Sequence, residues 1–158
     1  MLTIDIDGMI IRLHKETPNP APEPTMQEGI AADLRKLLPK IGDYWPLGGG
    51  IYAWMMRATE GHARDYQLVL VESADKKGDW QSSMNWAECT GQGLPTLREL
   101  SLLRANLPEH FQPEHYWSCE AHESKSDCAW CQYFSNGYQL YYPRGSEFRA
   151  RAVRRLSI

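Results

Sequence analysis

Residues 17–24 read Thr-Pro-Asn-Pro-Ala-Pro-Glu-Pro. Proline at every second position fixes φ and removes backbone donors, so neither a helix nor an interior strand can run through this stretch. It predicts a stiff, extended linker. The chain is therefore read in three parts: a β-hairpin over 1–13, the Pro-rich linker and a helix over 14–43, and a folded domain over 44–158. In the first part Ile4, Ile6, Ile10 and Ile11 flank Asp7-Gly8, a pair that tolerates the positive φ of a tight hairpin turn. In the second, Thr25 and Glu28 form a capping box. Met26, Ile30, Leu34, Leu37 and Leu38 then recur at helical spacing until Pro39 and Gly42. This amphipathic 26–38 helix has two readings: a cover for the domain, or a surface for a partner or a second copy.

The third part is long enough to build its own core. With 42% hydrophobic and 23% charged residues in 158, the composition is that of a globular chain and excludes a disordered tail or a collagen-like repeat. A formal net charge of −3 gives no global basic field, so nucleic acid and an anionic membrane are not expected partners. The first residues lack a basic stretch, and Asp5 and Asp7 interrupt the apolar ones, so no secretory signal is read. The longest apolar runs, such as Leu68 to Val71, fall far short of the ~20 residues that span a bilayer. The expectation is a cytoplasmic protein whose cysteines (89, 119, 128 and 131) are reduced thiols.

Three glycines precede Ile51-Tyr52-Ala53-Trp54, which reads as a strand with a close backbone approach. They lack the Lys-Ser/Thr that a phosphate loop requires. Tyr66 to Val71 reads as a buried strand. Asp79 to Cys89 reads as a helix with Trp80, Ser83, Met84 and Ala87 on one face. Thr96 and Glu99 form a second capping box, opening a helix that runs to about Leu107 before Pro108. Beyond it come strands at 115–119 and 128–134, a turn at Ser135-Asn136-Gly137, a return at 138–142, and one final strand from Arg149 to Leu156. Strands in runs and helices kept apart argue an α+β fold rather than a doubly wound sheet.

Several pieces stand in one order: Gly49-Gly50-Ile51-Tyr52-Ala53, Asp79-Trp80, Trp86-Ala87, Leu94-Pro95-Thr96 with Glu99-Leu100, Tyr116-Trp117-Ser118, Ala129-Trp130, Phe134 with Asn136-Gly137, and the arginines from Arg151 to Arg155. Over residues 44–158 this set resembles the uncharacterised domain family that includes the C-terminal domain of a bacterial collagen-like adhesin, in the variety found in prophages and tailed phages. The resemblance implies a C-type-lectin-like fold: two helices packed on a small twisted antiparallel sheet, here with an N-terminal β-hairpin and an extra helix. It implies that Trp117, Trp130 and Phe134 are core. Leu-Pro-Thr-x-x-Glu is also similar to the formylglycine-generating branch of that fold. That branch carries its chemistry on cysteines near the C-terminus. The C-terminus here, from Pro143 to Arg155, has none, so the activity is not carried over.

Cys119-x-x-His122 and Cys128-x-x-Cys131 have zinc-like spacing. Strand parity sends Cys128 and Cys131 to opposite faces, which favours unlinked thiols over a metal site. The carboxylates of the 120–127 loop lack the Asp-x-Asp-x-Asp-Gly run of a calcium loop. No nucleophile elbow is present, so no catalytic residue, metal or cofactor is expected. The arginines of the last segment divide two ways. Glu99 is expected to pair with Arg151 or Arg154, tying helix to sheet. Arg144 and Arg149 are candidates for an anionic ligand. The hairpin over 128–142 is rich in Tyr, Gln and Asn, the rigid rings and adaptable amides of a paratope. Glu120, His122, Gln132, Tyr133, Asn136, Tyr138, Gln139 and Tyr141 are therefore the candidate binding residues.

The function expected is a non-catalytic binding module of phage or prophage origin. It would act on a host protein or a small polar or anionic ligand, with inhibition of a bacterial defence system as one use. A virion or tail-associated decoration domain is the alternative, and a relative of the formylglycine-generating enzymes is a third. Self-association through the 2–13 hairpin and the 26–38 helix is expected.

Overall fold

A computed structural model describes residues 2–6, 9–13, 39–59, 64–73 and 75–158. The chain divides into two compact units, Met1–Leu38 and Pro39–Ile158. In the first, β1 (Leu2–Ile6) and β2 (Met9–Leu13) form an antiparallel pair with Leu2 opposite Leu13 and Ile6 opposite Met9. The Asp7-Gly8 turn, the Pro-rich linker and the 26–38 helix lie outside the described residues.

The second unit is α+β, with two α-helices and two sheets among its described residues. In chain order it holds β3 (Tyr44–Trp45), β4 (Gly50–Met56), β5 (Tyr66–Val71), β6 (Lys76–Gly78), α1 (Trp80–Cys89) and α2 (Leu97–Asn106). A short 3-10 turn (Pro108–His110), β7 (His115–Ala121), β8 (Cys128–Tyr133), β9 (Gln139–Pro143), β10 (Phe148–Ala150) and β11 (Val153–Ser157) follow. The first sheet is antiparallel in the order β11-β5-β4-β3. The second has the order β6-β10-β7-β8-β9 and is antiparallel except where β10 runs parallel to β7.

The single final strand expected over 149–156 is instead two strands in two sheets. The chain leaves the five-stranded sheet after Ala150 and enters the four-stranded one at Val153. The reason is an interaction remote in sequence. Arg151 donates to Asp75 Oδ1 at 3.2 Å, to Val71 O at 3.2 Å and to His110 O at 3.3 Å, which holds the chain out of either ladder. The β5–β6 connection crosses between the same two sheets beside it.

The local signals explain the helices. Asp79 caps α1 by accepting from Ser82 N at 2.8 Å. Thr96 and Glu99 complete the reciprocal capping box of α2. Leu100 and Leu103 of α2 and Leu107 at its end, at 0% exposure, pack on Ile51, Leu68 and Leu70 of the four-stranded sheet, with Tyr116 and Phe134 closing the other side. A second cluster joins Trp80 and Ala87 of α1 to Trp117, Ala129 and Cys131 of the five-stranded sheet.

Glu99 is buried and ion-paired, but its partner is Arg155, not Arg151 or Arg154. Arg155 Nε and Nη2 reach its two carboxylate oxygens at 2.7 and 2.6 Å. On β11, Val153 and Arg155 share the face under α2, and Arg154 points to the other. There it donates to Gly48 O at 2.8 Å. Gly49, at φ +68°, lies so close to that guanidinium that a Cβ would collide with it. Burial pushes the Glu99 carboxyl up, but Arg155, the Thr96 amide and the Tyr66 hydroxyl more than offset it and leave its pKa below the ordinary value. A depressed carboxyl contributes stability above its unfolded pKa of about 4.3, and that contribution is lost as pH falls through the folded value. Glu99→Ala is expected to cost about 3–5 kcal/mol at pH 7, because it strands a largely buried arginine. Glu99→Gln is expected to flatten the acid limb of stability. Urea unfolding from pH 7 down to pH 2 reads both; a loss near zero at pH 7 would mean a solvated pair.

Candidate functional site

The turn at the tip of β8 and β9 is built by its own residues. Gly137 adopts φ +85°, and its N–H donates to Tyr133 O at 2.7 Å. Asn136 Oδ1 accepts from Tyr138 N at 3.0 Å. From α2, Arg104 donates to Phe134 O at 2.9 Å and packs so near Gly137 that a Cβ would sit 3.1 Å from its guanidinium. The register places Gln132 opposite Gln139 and Trp130 opposite Tyr141. Alternation then puts Trp130, Gln132, Gln139 and Tyr141 on one face, and Cys131, Tyr133, Leu140 and Tyr142 on the other.

Most of the candidate residues are committed to holding the fold. Gln132 is 1% exposed, so no partner reaches it. Its Oε1 accepts from Ser101 Oγ at 3.1 Å and Gln139 Nε2 at 3.2 Å, and Gln139 also donates to Leu97 O at 2.9 Å. These amides are the polar seam between α2 and the sheet. Glu120 Oε1 accepts from Leu97 N at 2.9 Å, which satisfies one of the orphan donors at the start of α2. Tyr133 lies on the opposite face, stacked on His115 at 4.5 Å, with Phe148 on the imidazole as well. Burial holds His115 below its ordinary pKa, with Glu114 pulling the other way. Arg144 spreads over the Trp80 ring at 4.5 Å and donates to Cys128 O at 3.3 Å. Arg149 gives Nη1 to Asp75 at 3.0 Å and Nη2 to Glu114 at 2.7 Å, so its fork is already filled.

What remains open is a corner of rings. His122 and Trp130 stack with centroids 5.1 Å apart and an interplanar angle of 10°. Tyr141 stands edge-on to both, at 4.4 and 5.4 Å. Tyr141 is 39% exposed, and Tyr138 at the turn is 66% exposed. Lys125 Nζ reaches the Tyr141 hydroxyl at 2.6 Å and lies 4.1 Å from the ring centroid. Ser124 N donates to His122 Nδ1 at 3.2 Å, which orients the imidazole. Such a corner offers apolar area with polar tips at low entropic cost. Trp130 was expected in the core with Trp117 and Phe134. It is half-buried instead and belongs to this corner, because it shares the strand face of Tyr141. Lys125 was not among the candidates. Its position in a polar loop carries no signal until the loop folds onto Tyr141.

Among the described residues no His, Cys, Asp or Glu cluster is placed to hold a metal ion, and all four cysteines are free. Burial pushes the Cys119 thiol up to about 11 and Cys131 up to about 12, the reverse of an activated nucleophile. No described helix is long and apolar enough to cross a membrane. Comparison with known proteins finds no matching family model and no matching curated protein. Glu120→Ala is expected to leave the Leu97 amide without its acceptor while the Thr96–Glu99 capping box stays, and to cost about 1 kcal/mol, lowering the melting temperature by a few degrees. Differential scanning calorimetry reads this, and an unchanged melting temperature would free Glu120 for a surface role.

Proposed function

We propose that the chain is a non-catalytic binding module with a C-type-lectin-like fold, recognising a protein or small polar ligand through the ring corner of the β8–β9 hairpin. The observation that carries this reading is the exposed Tyr141 beside His122, Trp130 and Lys125, with Tyr138 exposed at the turn of the same hairpin. These rings are held by a rigid, capped scaffold and are not consumed by the core. Burial raises the Cys119 and Cys131 thiols, which speaks against a nucleophilic role for these two. The phage-type sequence resemblance supports action inside a bacterial host, with a host defence protein as the partner class that fits it. A host protein is favoured over a small anion, because Arg149 is filled by Asp75 and Glu114 and Arg144 lies on Trp80.

Affinity capture from a bacterial lysate, with the tagged wild type beside a Tyr138→Ala/Tyr141→Ala variant, tests this. One dominant host protein is expected to be retained by the wild type and lost by the variant. The melting temperature should stay within about 2 °C, as befits exposed side chains. If retention and melting temperature fall together, the hairpin rings are core and the reading is wrong. Recovery of phage structural proteins instead would favour the decoration-domain alternative.

A further inference from the structure

Antiparallel pairing leaves every second residue of an edge strand with its N–H and C=O pointing out of the sheet. On β9 the bonds of Tyr133 N to Tyr138 O and of Arg144 N to Asp127 O fix the parity. Tyr138, Leu140, Tyr142 and Arg144 bond inward to β8. Gln139 and Tyr141 turn their backbone groups outward, and Pro143 has no donor to offer. No described strand lies beyond β9.

The other sheet edges of this unit are guarded in the usual ways. The edge at β6 is three residues long and carries Lys76 and Lys77. The edge at β3 is two residues long. On β11, Gly93 bridges Val153, and Arg154 and Arg155 follow. By contrast β9 is five residues long, and the chain from Ser135 to Pro143 contains no charge. Within the strand its guard is Pro143, and Lys125 lies over the Tyr141 ring on one face.

We infer that the β9 edge pairs with β9 of a second copy, joining two five-stranded sheets across a two-fold axis at Leu140. The edge is self-complementary about that residue. In the antiparallel register Gln139 faces Tyr141 of the partner subunit, and each pair exchanges both backbone hydrogen bonds. Pro143 falls opposite Gly137 of the partner subunit, in the turn, where no donor is needed. A longer incoming strand would meet Pro143 inside its ladder, so a second copy suits this short edge better than an extended peptide. Tyr138 comes to lie against Tyr142 of the partner subunit, a favourable cross-strand aromatic pair. On the helix side α2 meets β9 through the Gln139 side chain, which donates to Leu97 O, and leaves the outward backbone groups of the strand to the edge. The contact is isologous and closes at two copies. It uses backbone groups rather than the ring corner and does not rest on the binding reading.

Sedimentation of the purified full chain at about 100 µM, a concentration suited to a small interface, is expected to give the mass of two chains. Tyr141→Pro should give one chain with an unchanged circular dichroism spectrum, since the Tyr141 amide points out of the sheet and bonds nothing among the described residues. Leu140→Cys in a Cys89→Ser/Cys131→Ala background, which removes the thiol that faces position 140 from β8, should form an interchain disulfide under mild oxidation. The paired Cα atoms at the axis would lie about 4.5 Å apart, within disulfide reach. Gln139→Cys in the same background should not, because it faces Tyr141 instead of its own copy. A monomeric wild type overturns the inference. So does a Tyr141→Pro dimer, which would place self-association elsewhere, or crosslinking of Gln139→Cys as efficient as that of Leu140→Cys. If Tyr141→Pro does not fold, the two cysteine variants decide.

Discussion

One carboxylate fixes how the helix sits on the sheet. Glu99 has no exposed surface, and burying an unpaired charge would cost several kcal/mol. It is tolerable only because donors from three elements converge on it: Thr96 N from the start of α2, the Tyr66 hydroxyl from β5, and two nitrogens of Arg155 from β11. Sliding the helix by one turn, or β11 by one residue, would leave that charge without its donors. The apolar contacts of Leu100 and Leu103 supply attraction without direction. The carboxylate supplies the direction.

A second carboxylate does the same for the passage between sheets. Asp75 accepts from the Tyr116 hydroxyl at 2.6 Å, from Arg149 at 3.0 Å and from Arg151 at 3.2 Å. Both connections between the two sheets run past it, one after Val71 and one after Ala150. Arg151 also holds the carbonyls of Val71 and His110, so the end of β5, the 3-10 turn and the start of β11 meet on one guanidinium. Arg149 completes the charge balance through Glu114, whose carboxyl it holds below the ordinary range.

Local signals were readable wherever the structure obeys them. The Thr96–Glu99 capping box, the span of α1 and the buried run from Tyr66 to Val71 follow from spacing and caps alone. The errors arise where a distant partner decides. Arginine and alanine alternate evenly through residues 149–152, so the pattern reads as one strand. The break comes from Asp75, 76 residues earlier than Arg151. Lys76 to Gly78 has no strand signal and is a strand only because β10 pairs with it. Gln132 reads as a surface amide, and Ser101 and Gln139 turn it into a buried one. Trp130 sits opposite Tyr141 in the ladder and shares its face, which leaves it half-buried at the corner and not in the core that the family resemblance implied.

The same alternation separates the two open features of the hairpin. In a strand, side chains leave the sheet through its faces and backbone groups lie in its plane. Tyr141 therefore contributes its ring to the corner with His122 and Trp130, and its amide and carbonyl to the free edge of β9. Occupying one does not block the other. A two-fold axis through Leu140 runs perpendicular to the joined sheet, so both copies turn the same face to the same side. Two ring corners would then address one partner surface together, and a partner with repeated or symmetric features would be held far more tightly than by either corner alone. A hairpin with modest area on each face would gain its strength from that pairing of copies.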